Sequence, residues 1–369
     1  MKNIHISTLT FSIIAIITVV AVYSHVLQGP FVFDDKPNIL ENPYIQITDL
    51  KPKTLLQAAF KSPIPRRPIA NITFALNYYF DGYNPIGYHV INIIIHIING
   101  ILLFVIIRET LWLQNYQYIT LVAALIALSW LLHPIQTQSI SYIVQRMNCI
   151  AAMFYMLALL MYMNYKQKLL RRYLIVGVLS GIMSLGCKEI AATLPIFIIL
   201  YEWYFYQNLN RVWITKWLLP LSAMLLAIVI GMIGAERLYG IITTIPWTRL
   251  LTECRVVVFY ISLLLFPHPS RLSLDHDFTA STGILSPPST LISMVLILAM
   301  VGFAVVSARK HRLLSFCILW YFGNLVIESS ILRLELLFEH RNYLPSMFGI
   351  AGVVSVLFKA DNEHDKHKH

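Results

Sequence analysis

Apolar stretches long enough to enter a bilayer recur from one end of this chain to the other, and that pattern limits the fold more than any motif does. A hydrocarbon core of about 30 Å calls for about 20 predominantly apolar residues in a helix. Apolar segments lie near 6–27, 89–107, 118–132, 149–165, 173–186, 190–206, 216–234, 251–266, 290–307, 313–327 and 344–358. Only 12% of the 369 residues are charged, half the share of about 25% usual in soluble domains. An ordinary cytosolic enzyme is thereby excluded, and so is disorder, which needs low hydrophobicity. The expectation is an all-α polytopic membrane protein: one integral bundle of ten or eleven spans over 1–358, with a polar tail at 359–369.

The first apolar run is too long for a signal-peptide core, and no small-x-small cleavage site follows it. It reads as an uncleaved first transmembrane helix. The cysteines Cys149, Cys187, Cys254 and Cys317 show no close spacing, so neither a zinc site nor a dense disulfide framework is indicated. The tail ends EHDKHKH and reads as a solvated terminus rather than a metal site.

Short basic loops orient the bundle, because cytoplasmic loops are enriched in Lys and Arg. Lys166, Lys168, Arg171 and Arg172 form one such loop, and Arg309, Lys310 and Arg312 another. Placing both inside, with Met1 and His369, puts 29–88 outside as a large first extracytoplasmic loop. The segments 133–148, 187–189, 235–250 and 328–343 then also face outward. Segment 251–266 breaks the parity: it carries Glu253 and Arg255, so it either spans, lies at the interface or re-enters.

Ionisable residues beside membrane-embedded helices are costly and are functional candidates by default. Asp34 and Asp35, in FVFDDKPNILENPYI, stand just beyond the first helix. Such a pair can supply a general base, metal ligands or a helix N-cap, and Pro37 makes a helix start nearby plausible. Arg66, Arg67, Arg146, Lys188, Arg237, Arg249, Arg255, Arg271, Arg333 and Arg341 fall at or near the outer boundary, against the positive-inside tendency. Glu189, Glu236, Glu328, Glu335 and Glu339 can neutralise some of them. The excess of Arg over Lys points to a multi-oxygen anion, since guanidinium makes paired hydrogen bonds to phosphate. An anionic headgroup delivered by the membrane is the simplest candidate. His89 and His96 share a helix face with Asn92 and Asn99 close by, a pattern suited to interhelical hydrogen bonds. His133, His268 and His340 follow apolar spans, but no HxxxH or HExxH spacing occurs and no metal is expected.

Six segments then occur in a telling order: FVFDDKPNILENP, YHVINIIIHIINGILLF, LLHPIQTQSISYIVQR, CKEIAATLPIFIILYEW, LLFPHPSRLSLDHDF and FEHRNYLPS. Together they resemble the membrane domain of the transmembrane-and-tetratricopeptide O-mannosyltransferases and their bacterial relatives, within the GT-C superfamily of glycosyltransferases. The resemblance runs from about 28 to 350. It implies a GT-C-like bundle and an inverting glycosyltransferase. It also implies a polyprenyl-phosphate-linked sugar as donor, transfer at the outer face of a bacterial inner membrane, and an acceptor hydroxyl, with Ser or Thr of an exported protein such as a pilin as first choice. On this resemblance Asp34 is the catalytic base and Asp35 its acidic neighbour. Arg66, Arg146, Lys188, Glu189 and Arg255, with Glu339, His340 and Arg341 of the EHR segment, are expected around the donor phosphate and sugar.

Neither a cofactor nor a nucleic-acid partner is called for; the partners are the lipid donor, the exported acceptor and the bilayer. The relatives usually continue into tetratricopeptide repeats, whereas this sequence stops after its last span. The pattern after HP is also altered, which leaves Gln136 and Gln138 without a clear role. Transfer to a lipid or glycan stays open, as does an anionic-lipid transporter or flippase. Transporters place their sites near the midplane and often show repeat symmetry, whereas here the charges gather at one face.

Overall fold

The computed structural model describes residues 6–234, 247–329 and 335–366. Met1, His369, Glu236, Arg237, Arg333 and most of segment 235–250 lie outside the described residues. The regular structure of the described chain is helical, with no strand, and the chain forms two compact units: Met1–Ile106 with Ala127–Ala191, and Ile107–Ile126 with Ala192–His369. Four described helical segments are long and apolar enough to cross a bilayer: Thr8–Gln28, Pro85–Leu113, Ile143–Lys168 and Ser289–Ser307. A fifth crossing arises if Ile119–Leu131 and Pro134–Ser141, bent by 50°, count as one. The protein is thus an all-α polytopic membrane protein. This count, made on the described residues, is smaller than the ten or eleven apolar segments partly because 118–132, 173–186, 190–206 and 313–327 form helices shorter than 18 residues.

In the first unit, helix α1 (Thr8–Tyr23) starts where the Ser7 side chain accepts the Thr10 N–H at 3.0 Å. Its buried residues are Phe11, Ala15, Val19 and Tyr23, every fourth position and hence one stripe, while Leu9, Ile13 and Ile17 face outward as a lipid-facing surface would. The outer segment 29–88 is itself largely helical, with α2 (Pro52–Lys61) and α3 (Pro68–Asp81), each opened by a proline at its first position. Helix α4 (Pro85–Leu113) packs on α1 through the stacked rings of Phe11 and Phe104, 4.2 Å apart.

Polar residues tie α4 to its neighbours. His96 Nε2 lies 3.0 Å from the Leu131 carbonyl in α5 (Ile119–Leu131), and the Asn99 amide donates to the Cys149 carbonyl at 2.9 Å. His89 meets the Gly29 carbonyl at 3.1 Å, and Asn92 donates to the Ile140 and Ile143 carbonyls. The interhelical reading is therefore the observed one for Asn92, His96 and Asn99, whereas His89 bonds the extended chain that follows the first helix. Gly100 allows the closest approach, since a Cβ there would meet the Leu131 side chain at 2.5 Å. After α5 the chain bends at Pro134, where His133 Nδ1 accepts the Ile135 N–H. It then passes through the short α6 (Thr137–Ser141) into the turn Ile143–Gln145 and α7 (Arg146–Lys168), and α8 (Arg171–Leu185) follows.

The second unit holds α9 (Leu194–Tyr201), α10 (Arg211–Ile233), α11 (Trp247–Leu265), α12 (Ser289–Ser307), α13 (Arg312–Leu325) and α14 (Tyr343–Lys366). Helix α11 covers the segment of uncertain parity; Arg249, Glu253 and Arg255 occupy its first half. Helix α13 lies close along α14 because Gly349 and Gly352 face Tyr321 and Cys317, where a Cβ would approach to 3.1 and 3.0 Å. Trp320 donates to the Leu344 carbonyl at 3.1 Å and packs its ring 4.4 Å from Phe348.

Candidate functional site

In the first unit the polar residues singled out by sequence converge on the chain entering α7. Asp35 is fully buried, and both its carboxylate oxygens are engaged. Oδ2 accepts the Val32 N–H at 2.9 Å and Oδ1 accepts the Val144 N–H at 2.7 Å. The first N–H groups of a helix have no partner within it, and a carboxylate there also meets the positive end of the helix dipole. Asp35 therefore caps a helix, but a distant one: the turn Lys36–Leu40 that directly follows receives no side-chain bond from it. Burial pushes the Asp35 carboxyl up to about 7, and the Asp34 charge adds to that, while the two N–H bonds and Arg146 pull the other way.

Asp34 is placed differently. Its side chain is exposed, and its backbone N–H donates to the Tyr142 hydroxyl at 2.8 Å. Burial, and then the charges of Asp34 and Asp35, hold the Tyr142 phenol above its ordinary range, so it stays protonated and can donate. The preceding residue, Phe33, sits at φ 43°, in the left-handed region that a bulky side chain rarely adopts. Two adjacent acids thus face two environments, one closed and one open.

The cations of this unit divide in the same way. Arg146 is fully buried; Nε donates to Asn92 Oδ1 at 2.8 Å, and its terminal nitrogens donate to the Thr73 and Tyr88 carbonyls at 3.2 and 2.9 Å. Its guanidinium also lies over the Phe74 ring at 4.9 Å. In this arrangement Arg146 joins α3, α4 and α7. Lys188 is buried with Nζ 3.2 Å from Asn148 Oδ1. Glu189 pairs with Arg67, whose Nε and terminal nitrogen reach the same oxygen at 3.1 and 2.7 Å. Burial alone would raise the Glu189 carboxyl, but the Arg67 charge and hydrogen bond outweigh it and hold it below its usual range. Arg66, the neighbour expected at the site, is exposed.

Sequence reasoning passed over Tyr142, Met147 and Asn148, and it named Arg67 among the outer-face cations without placing it at the donor site. Arg67 also approaches the Met147 sulfur at 3.4 Å. From Tyr142 to Asn148, six residues therefore touch Asp34, Asp35, Arg67, Lys188 or the α3–α4 pair. The signal was present as a run of polar side chains, from Gln136 to Asn148, between two apolar segments. Gln136 and Gln138 are buried within it.

In the second unit the structure joins two of the sequence segments. Glu339 is buried, and Oε1 accepts the Ser273 N–H at 2.7 Å and meets His276 Nε2 at 2.9 Å, so the LSLDHDF stretch docks on the EHR stretch. His340 is buried and stacks on Phe338 at 5.1 Å. Arg341, also buried, donates to the Leu336 carbonyl at 2.9 Å and to the Glu335 carbonyl. Arg255 donates to the Thr279 carbonyl at 2.8 Å and lies over the Phe278 ring, which holds the 272–288 loop against α11. Among the described residues no group of three or more His, Cys, Asp or Glu side chains is placed to hold a metal ion.

Comparison with known proteins gives one consistent likeness. The chain is 30% identical to the protein O-mannosyl-transferase Tmtc1 of Drosophila melanogaster over 46% of its length and 20% of that protein. It is 23% identical to the human protein O-mannosyl-transferase TMTC3 over 98% of its length and 38% of that protein. The human protein O-mannosyl-transferase TMTC4 aligns at 26% identity over 44% of the chain and 25% of the relative. The chain thus spans about two fifths or less of the curated relatives it matches. No family model matches, and no solved structure matches.

Proposed function

We propose that this membrane protein is a glycosyltransferase of GT-C type that moves a sugar from a polyprenyl-phosphate-linked donor to a hydroxyl of an exported protein. The acceptor is a Ser or Thr, as on a pilin, and transfer takes place at the outer face of a bacterial inner membrane. The similarity to protein O-mannosyl-transferases supports a protein hydroxyl as acceptor and mannose as the first sugar to try.

One observation carries the reading: an exposed carboxylate, Asp34, beside a buried one whose oxygens are both committed to backbone N–H groups. Asp34 takes the acceptor hydroxyl proton as the oxygen attacks the anomeric carbon; the bond to the lipid phosphate breaks, and the configuration inverts. The negative charge on the departing phosphate needs fixed positive groups. In the first unit we assign this to the exposed Arg66, with Lys188, Glu189 and Arg146 as the framework behind it. In the second, Arg341 keeps the phosphate role its motif implies, with Arg255, Glu339 and His340 holding that segment. Asp35 positions the acid loop by tying it to the start of α7.

The test is reconstituted transfer, with purified protein in liposomes, polyprenyl-phosphate mannose and a Ser/Thr-rich peptide. The expected product is a glycopeptide of inverted anomeric configuration. Sugar appearing on lipid or glycan in place of peptide would overturn the acceptor assignment, and lipid movement without transfer would establish the transporter reading.

A further inference from the structure

The second unit contains a cavity of about 570 Å³ between the end of α4, the loop joining α12 to α13, and α14. Arg309, Lys310 and Arg312 line it together with Gln114, Tyr116 and Gln117; the remaining walls include leucines and a valine. None of the lining residues is a carboxylate. Arg312 does have a partner, the Asn208 side-chain oxygen, but an amide leaves its charge in place. Three permanent cations around one space repel each other, and an anion entering it relieves that repulsion.

Two further features say what kind of anion fits. The volume lies within the range of about 300–1,000 Å³ typical of small-molecule sites, more than one phosphate group requires. The cavity also adjoins a surface built for hydrocarbon. Helix α12 exposes Leu298, Val305 and Val306, the last at 88%, and ends at Ser307, just before the cations. On α14, Leu357 is exposed next to the lining residue Val356. Cations at the end of a lipid-facing surface stand at headgroup depth, and basic pockets between membrane helices suit anionic lipid headgroups.

We propose that this cavity binds the phosphate headgroup of an anionic membrane phospholipid, with Arg309, Lys310 and Arg312 on the phosphate and the apolar walls against the glycerol and upper acyl chain. The cavity shares no residue with the acid loop and does not depend on the catalytic reading. It couples the protein to the lipid composition of the leaflet holding its basic loops, which the sequence places in the cytoplasm.

The experiment uses the full chain in nanodiscs of phosphatidylcholine doped with phosphatidylglycerol, with retained lipid read by native mass spectrometry. The wild type should retain phosphatidylglycerol in preference to phosphatidylcholine. The double variant Arg309→Gln/Lys310→Gln should hold it about thirtyfold more weakly, since each cation near a membrane surface contributes about 1 kcal/mol, about fivefold. Exchange of the two cations, Arg309→Lys/Lys310→Arg, should keep the preference and controls for folding. Val356→Trp narrows the cavity without altering its charge and should also lose the lipid; full retention by that variant would overturn the cavity as the site. Equal retention of the two lipids by wild type would overturn the proposal, as would displacement of phosphatidylglycerol by inorganic phosphate, which would mark a soluble anion as the ligand.

Discussion

The acid loop of the first unit and the EHR segment of the second are both dense in charge, yet they use it differently. Glu339, His340 and Arg341 are all buried, at 2%, 5% and 4% exposure, with the acid and the arginine bonded to neighbouring chain. In the acid loop the burial stops halfway: Asp35 is closed off at 0%, and Asp34 beside it is open. A buried polar group fully engaged with backbone fixes the course of the chain, because leaving those partners unpaired costs more than the bond itself contributes. The exposed carboxylate has no such commitment to backbone, and on the proposed function the two neighbouring acids divide into anchor and reagent according to burial.

That division is open to challenge at several strengths. The largest effect is expected at Arg146. Arg146→Met removes the donor to Asn92 Oδ1 and to the Thr73 and Tyr88 carbonyls, a loss of about 3–5 kcal/mol by analogy with breaking other buried polar networks. Thermal unfolding in detergent would show it as loss of folded protein, whereas a stable variant with weak donor use would move Arg146 from framework to ligand site.

Arg341→Ala comes next. A charge-assisted contact is worth about 1.5–3 kcal/mol, so the KM for the lipid donor should rise at least about tenfold while acceptor dependence stays level. Kinetics at varied donor concentration check this; an unchanged donor KM in a folded variant would make the EHR segment purely architectural.

Asp35→Asn should act on stability more than on chemistry. Asparagine keeps one acceptor and points an N–H₂ at the other backbone donor, a cost of about 1–2 kcal/mol. The pH profile sharpens this. The Asp35 carboxyl is raised from 3.8 to about 7 by burial, so the folded state holds its proton more tightly than the unfolded one. Its contribution is therefore fully present below about pH 4 and is lost as pH rises through about 7. Thermal melts between pH 4 and 8 should show this slope in the wild type and lose it in Asp35→Asn. The smallest effect belongs to Arg67→Gln: its pair with Glu189 is partly exposed, 21% and 30% by side chain, so the loss in the same melts should be about 1 kcal/mol or less.

Much of the helical layout was legible because lipid-facing helices announce themselves by composition. The segments 173–186, 290–307 and 313–327 correspond to α8, α12 and α13 within about two residues at each end. The run 190–206 was less transparent: it divides into Glu189–Thr193, Leu194–Tyr201 and Glu202–Tyr206, changes in helical winding that hydropathy does not register. At the site, the acid pair and the EHR segment stand out as charges beside apolar spans. Their partners do not, because Val32, Val144, Leu336 and Glu335 act through backbone groups that every residue carries. The separation of Asp35 from Val144 by 109 positions hides that tie further. Adjacent arginines pose the same difficulty: only the turn before α3 decides that Arg67, and not Arg66, meets Glu189.

The most direct measurement compares Asp34→Asn with wild type in the reconstituted transfer assay, with the melting temperature taken on the same samples. Asparagine keeps the shape and hydrogen-bonding reach of Asp34 but cannot accept the proton, so transfer should fall about 10²–10⁴-fold while stability and donor binding hold. Near-wild-type transfer by a folded Asp34→Asn protein would contradict the account, because the exposed acid would then be no more a reagent than its buried neighbour.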